Sequence, residues 1–478
     1  MKVKIGWLLL ALVSPALSFG QEIWSLERCL QYAKDNNIQI KQSKLQVDLA
    51  EQVKLQSTTN FLPSLNGQAT NNYNFGQTID PFTNQFASSR VRSNQLFLSS
   101  SVILFGGFQN WNNRMQSSAD FKAANADTEK MMNDVSLNIV TAYLQIIFGK
   151  ELLKNADNQL EITRLQRDRI STLVKAGQLA ESNLFDIEAQ FARDELAKVN
   201  AENNLNLSYI QLYNILQLDI ESEIEVQDYA DLKVDGTLLS TSAADMYNAA
   251  LNNMPEIKAQ EYRLKSAEYA RKSAYGAMSP RLSFNASIGS GYSGNNRQPI
   301  GEPTVVFNET GFFASDGVNT LPVFAPSLVY ADGFRPKPFR DQLNDNFNKS
   351  IGFSLTIPLF NGLNTNTNIK RAVINNANQK LQLDAAKNTL QQTVQRAYND
   401  ALAAIKQYQA AQKLVVAQKE SFKYAEIKYQ QNLINLVEYT DAKIKLANAE
   451  NDLVRAKYDS IFKSKIIDFY LGKGLTLN

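Results

Sequence analysis

Histidine is absent from the chain, and Cys29 is its one cysteine. That composition excludes a Ser-His-Asp triad, a Cys–His pair and the usual zinc ligand sets. Cys29 follows Glu27 and Arg28, which a lipoprotein cleavage box would not tolerate, so it reads as a small apolar residue on a helix face. Phe105-Gly106-Gly107-Phe108 has glycines at a strand–helix joint but lacks the spacing and the lysine of a phosphate loop. Removing residues 1–20 takes away Lys2 and Lys4 and leaves 47 basic against 47 acidic residues. With no basic stripe, a nucleic-acid partner is not expected. Neither an enzyme nor a cofactor is expected. The side chains left to carry a function are uncharged and polar, and their placement is unusual.

Four zones are nearly free of charge. Residues 55–89 hold only Asp80, and residues 93–113, 282–296 and 350–369 hold no charged residue. These zones carry strand candidates at about 64–76, 93–105, 281–293 and 349–360. In the last, Ile351, Phe353, Leu355, Ile357 and Leu359 alternate with Gly352, Ser354 and Thr356, the period-two pattern of a strand with one apolar face. Leu282, Phe284, Ala286 and Ile288 alternate with Ser283, Asn285, Ser287 and Gly289, and Leu65, Ala69 and Tyr73 with Asn66, Gln68, Thr70 and Asn72. The second candidate is less regular, because Leu96-Phe97-Leu98 and Val102-Ile103-Leu104 are apolar on both faces. Strands of about 11–13 residues suit a tilted membrane crossing, with lipid on one face and water on the other. A soluble sheet would place Lys, Glu or Arg on its wet face; these strands place Asn, Ser and Thr there.

The elements that position these strands occur twice. Leu104-Phe105-Gly106-Gly107 and Leu359-Phe360-Asn361-Gly362 are the same strand–helix joint, 255 residues apart. Ala142-Tyr143 and Ala397-Tyr398, and Asp186 and Asp441, keep that offset. Upstream it is 217, as in Pro63 and Pro280, so one insertion of 38 residues lies within 283–349. A repeat of this length dictates the fold. The division expected is a signal peptide over 1–20, a first repeat over 21–218, an acidic solvated linker over 219–241 with at most a short strand, and a second repeat over 242–478. Each repeat reads as helix, strand, loop, strand, long helix, turn, long helix. Residues 25–60 read as one helix capped by Ser25 and ended at Pro63. After Gly362, about 70 residues pass without Gly or Pro. Within them Leu390, Val394, Ala397, Ala401, Ala404, Tyr408, Ala411 and Val415 form a coiled-coil seam. Loops run over 77–90 and 295–348, the second with six prolines.

Four strands in lipid leave open edges that only a closed barrel satisfies, and natural single-chain barrels begin at eight strands. Three copies would supply twelve. The fold expected is therefore mainly α with a membrane β-barrel portion: a trimeric twelve-stranded barrel continuing into a periplasmic α-helical coiled-coil barrel. The competing reading is a structural or adhesive trimeric coiled coil anchored by a small barrel.

The Pro-x-Leu strand starts (Pro63-Ser64-Leu65, Pro280-Arg281-Leu282), the Leu-Phe-x-Gly joints, the Ala-Tyr pairs and the hairpin tips, in this order and duplicated, resemble the TolC family of outer-membrane efflux proteins across nearly all of the chain. The resemblance implies a homotrimer in the outer membrane, in contact with its lipid, with a long periplasmic extension. It implies a periplasmic adaptor and, through it, an inner-membrane pump or ABC transporter. It implies a passive exit duct for efflux or type I secretion. By the same resemblance the tip turns Gly177, Gln178, Leu179 and Asn432, Leu433, Ile434 would meet the adaptor. Glu438 and Asp441 would be the carboxylates ringing the periplasmic entrance, although Ile434 stands where better-known members carry an Arg.

Overall fold

A computed structural model describes residues 22–80, 82–84, 86–87, 90–219, 224–228, 242–431 and 433–474. The expected signal peptide, Asn432 and most of the expected linker lie outside the described residues. The first repeat holds β1 (Glu22–Trp24), α1 (Leu26–Asn36), α2 (Ile38–Thr59), β2 (Ser64–Asn74), β3 (Thr78–Ile79), β4 (Phe86–Ala87), β5 (Val91–Gly106), α3 (Gln109–Lys175) and α4 (Glu181–Leu216). Then come β6 (Ile224–Val226), α5 (Ala243–Asn253), α6 (Pro255–Gly276), β7 (Arg281–Ser293), β8 (Arg297–Pro299), β9 (Thr304–Ser315), β10 (Thr320–Val329), β11 (Phe334–Pro336), α7 (Phe339–Asp345), β12 (Asn348–Thr356), α8 (Asn364–Gln430) and α9 (Leu436–Tyr470). Both α3 and α8 have 67 residues, so each is roughly 100 Å long at 1.5 Å per residue. Among the described residues no helix is long and apolar enough to cross a membrane.

The chain divides into two compact units. One comprises Val53–Ser117 and Ala267–Asn375, and its centre is an antiparallel sheet in the order β12-β7-β5-β2. β12 and β2 are its edges. The fourth strand stops at Thr356 rather than near 360. Pro358 has no amide hydrogen to continue a ladder, and Leu359 and Phe360 are 92% and 81% exposed. The inserted region is not the irregular loop its prolines suggested. β9 and β10 form a hairpin, β8 pairs with β11, and α7 follows.

The other unit comprises the chain through Gln52, Ser118–Ser266 and Asn376 onward. Its two larger cores among the described residues use matching positions of the two repeats. Cys29, Ala33, Ile40, Val135, Ile139, Ile146 and Leu212 fill the first. Met246, Ala250, Ile257, Leu390, Val394, Ala401 and Ile467 fill the second, each 217 or 255 residues later. The Leu390–Val394–Ala401 seam packs against residues of α5, α6 and α9. Tyr143 is fully buried, and its hydroxyl donates to Trp24 O at 3.0 Å.

Two expectations change here. Residues 25–60 form two helices, not one, because Asn37 breaks the run with ψ at 128°. Its side chain explains the break: Oδ1 accepts from Gln39 N (2.9 Å) and Ile40 N (3.3 Å) and caps α2, while Nδ2 donates to Ile215 O (2.9 Å). Ser25 does cap α1, accepting from Arg28 N, and Ser242 caps α5 in the same way. The described part of the expected linker is not solvated throughout. β6 pairs in parallel with β1, and Ile224 and Val226 are buried.

Candidate functional site: a two-faced sheet and two hairpin tips

The pairing register sorts every residue of the sheet onto one of two faces, since directly opposed residues share a face. One face takes Asn66, Gln68, Thr70 and Asn72 from β2, and with them Ser99, Phe97, Gln95 and Ser93 from β5. Across the next ladder the same face takes Ser287, Gly289, Gly291 and Ser293 from β7, and from β12 Asn348, Ser350, Gly352, Ser354 and Thr356. The other face takes Leu65, Ala69, Leu96, Leu98, Leu282, Phe284, Ala286, Ile288, Ile351, Phe353 and Leu355. The first face is mainly hydroxyl, amide and glycine, with Phe97 and Ile103 among them and Arg281 at one end; the second is mainly hydrocarbon, with Ser100 and Ser290 among it and Asn71, Asn94, Arg92 and Lys349 toward the opposite end. Register explains the irregular second strand: Leu96 and Leu98 lie on the apolar face, and Phe97 alone of the three lies on the polar one.

The strand–helix joints carry the same backbone twice. Gly107 and Phe108 have φ of 61° and 60°, and Gly362 and Leu363 both have 64°. Two successive left-handed residues turn the strand into the helix, and Gly takes the first of them at little cost. At the first joint Gly107 lies against Gly276 and Ser279, with no room for a Cβ. At the second, Gly362 has nothing within 4 Å of that position. Leu104 sits at a bulge in β5, which leaves Phe105 opposite Leu282.

Both tips end their first helix alike. Gln178 N donates to Leu173 O at 2.9 Å and Leu433 N to Lys428 O at 2.8 Å, the six-to-one bond of a Schellman ending. Gly177 has φ 70° with open space around it. Gln178 is exposed, and Leu179 joins Ile434 in a small core with Ile170, Ile187, Leu436 and Tyr439. Leu433 is exposed. Glu438 and Asp441, both exposed, begin α9. Asn435 Oδ1 accepts from Glu438 N at 2.9 Å and its Nδ2 donates to Glu438 Oε1 at 3.4 Å, a reciprocal cap. Asp441 pairs with Lys445 at 2.7 Å. These local roles leave both carboxylates at the surface.

Sequence reasoning missed a buried polar cluster joining three helices. Lys443 Nζ of α9 donates to Thr163 Oγ1 of α3 at 2.7 Å, and Thr163 donates to Asp194 of α4. Gln190 Nε2 donates to the other Asp194 oxygen at 2.7 Å. All four side chains are buried, and burial pushes the Lys443 amine down to about 8 against the pull of Asp194. A lysine among charged neighbours on a helix ordinarily marks a solvent face, so no sequence signal separates it. Nearer the tip, Gln166 donates to the Tyr439 hydroxyl, and Tyr439 stacks on Tyr429 at 4.8 Å. Cys29 is fully buried, and burial raises its thiol to about 12, which removes it as a nucleophile.

Known proteins share this arrangement. A family model described as outer membrane efflux protein matches residues 29–217 and 246–472. The outer membrane protein TolC of Vibrio cholerae is 24% identical over 94% of this chain and 91% of its own length. TolC of Escherichia coli is 24% identical over 72% of this chain, and the match spans 61% of that relative's length, less than two thirds. Among solved structures, VceC of Vibrio cholerae superposes with a TM-score of 0.71 at 14% identity, covering 94% of this chain and 96% of that one. The Campylobacter jejuni CmeC outer membrane channel gives 0.70 at 17% identity, covering 96% and 92%. With its two matched stretches each falling on one repeat, the chain belongs to the outer membrane efflux protein family.

Proposed function

We propose that the chain is the exit duct of a tripartite efflux or type I secretion assembly, passing cargo from periplasm to exterior without chemistry of its own. The observation that carries this is the sheet: one face mainly apolar, the other mainly polar with Arg281 its one charged residue, and an edge strand open on its outer side at each end. Unpaired edges cannot sit in hydrocarbon, so copies of the chain complete the barrel, three of them supplying twelve strands. The polar face then lines water. The long helices of each repeat continue as the periplasmic tunnel, and the tips around Gly177 and Leu433 meet a periplasmic adaptor that couples to an inner-membrane pump or ABC transporter. Glu438 and Asp441 ring the entrance. An adhesive coiled coil anchored by a small barrel needs neither a water-facing sheet surface nor a helix returning from each tip. Deleting the gene and restoring it on a plasmid tests the proposal. Loss of dye and detergent resistance, recovered on complementation, is expected; unchanged resistance together with lost surface adhesion would favour the anchor.

A further inference from the structure

Two aromatic rings on the polar face of the sheet line one cleft. Phe97 of β5 is opposite Gly289 of β7, and a Cβ on that glycine would stand 3.0 Å from the ring. Phe82, from the loop between β3 and β4, reaches back over Gly291 so closely that a Cβ there would collide with it. Two glycines spaced by one residue on one strand face thus seat two rings. Phe82 is held through its neighbour Asp80. Asp80 is fully buried and accepts from Phe82 N (2.9 Å), Thr83 N (3.0 Å) and the Ser293 hydroxyl. Ser293 in turn exchanges backbone bonds with the buried side chain of Gln342, N to Oε1 at 2.9 Å and O to Nε2 at 3.0 Å.

Beside the rings is a cleft of about 390 Å³, walled also by Gln68, Thr70, Gln95 and Asn348. No charged side chain lines it. Thr70 Oγ1 is buried there without a hydrogen-bond partner. A buried unpaired hydroxyl is costly, and a ligand group that pairs with it recovers that cost.

We infer that this cleft is a binding subsite on the conduit wall for uncharged aromatic groups that carry a hydroxyl or amide. The rings offer stacking surface, and the amides and Thr70 offer donors and acceptors; with no ion in the wall, charged aromatics gain nothing from it. The inference rests on the polar face lining the conduit, as proposed above. Transient residence there slows such molecules at the wall relative to sugars of equal polarity.

The full chain reconstituted in planar bilayers tests this, with 2-naphthyl β-D-glucoside as probe and methyl β-D-glucoside as control. The naphthyl compound is expected to interrupt the single-channel current and the methyl compound to leave it steady. Phe82→Leu and Phe97→Leu keep an apolar side chain and remove the ring. Each should weaken the interruption several-fold, up to about tenfold, at unchanged open conductance. Equal interruption in both variants, or by both sugars, would overturn the subsite. A bilayer without current would count against the conduit and not the cleft. Naphthyl fluorescence titrated against the same protein in detergent then decides, wild type against the double leucine variant, with equal affinity overturning the subsite.

Discussion

Lys443 donates from 2.7 Å to Thr163, a residue 280 positions earlier, and both are buried. The bond joins the second hairpin to the first, with Asp194 and Gln190 facing it from α4. Because the folded Lys443 titrates near 8 and the unfolded one near 10.5, the unfolded chain holds more protons between those values. Stability should therefore rise with pH from about 8 to 10.5, by no more than roughly 3 kcal/mol. Below pH 8 the charged amine is buried at full cost. Thermal unfolding of wild type against Lys443→Met across this window checks it, since the methionine variant should lose that rise. Parallel curves would mean that Lys443 is charged and solvated.

The two joints make unequal demands. Gly107→Ala should cost the left-handed strain plus a collision with Gly276, more than about 2 kcal/mol in all. Gly362→Ala should cost about 1 kcal/mol, because only the backbone strain applies. Denaturant unfolding of the detergent-solubilised protein would rank them, and equal costs would contradict the packing.

The division between what the sequence tells and what it hides follows from periodicity. The duplication, the four strands and the polar face were legible because alternation and missing charge persist over whole segments. The break at Asn37 did carry a signal, since asparagine is a favoured helix cap, but Asp35-Asn36-Asn37 also fits the polar face of one continuous helix. Its counterpart one repeat later is the Met254-Pro255 step, and Pro255 opens α6, so the 217-residue offset held the clue. Phe82 and Asp80 lie in a loop with no period, and only the Gly289-x-Gly291 spacing hints that something rests on that face. Lys443 is invisible for the opposite reason: its helix is full of charges, and nothing local marks the one that turns inward.

At the first tip, Gly177→Pro should abolish export while membrane insertion continues. Proline cannot adopt a φ of 70°, so the turn that presents Gln178 and Leu179 must rearrange. Drug susceptibility together with outer-membrane fractionation reads both effects. Normal resistance in this variant would remove the tip from adaptor contact.

At the proposed entrance, Glu438→Ala alone should weaken the start of α9 by about 0.5 kcal/mol through the lost Asn435 Nδ2–Glu438 Oε1 bond and the lost negative charge at the helix N-terminus, while the backbone cap to Asn435 Oδ1 remains. Combined with Asp441→Ala it should also remove block of the channel by multivalent cations added from the periplasmic side, since clustered carboxylates attract them. Block unchanged in the double variant would leave the two acids with their capping and Lys445-pairing roles only.

The central claim is that copies of the chain close one barrel through the edges β2 and β12. The repeat specifies the register. Within one chain β5 meets β7 with Ser99 opposite Ser287. Carrying both residues to the other repeat by the offsets 255 and 217 places Ser354 of one copy opposite Thr70 of the next. Thr70→Cys with Ser354→Cys, oxidised in intact outer membranes, tests this most directly. The account predicts covalent trimers on a denaturing gel, with each single variant remaining monomeric. Monomers alone from the double variant, in protein that has inserted, would contradict closure of the barrel by neighbouring copies.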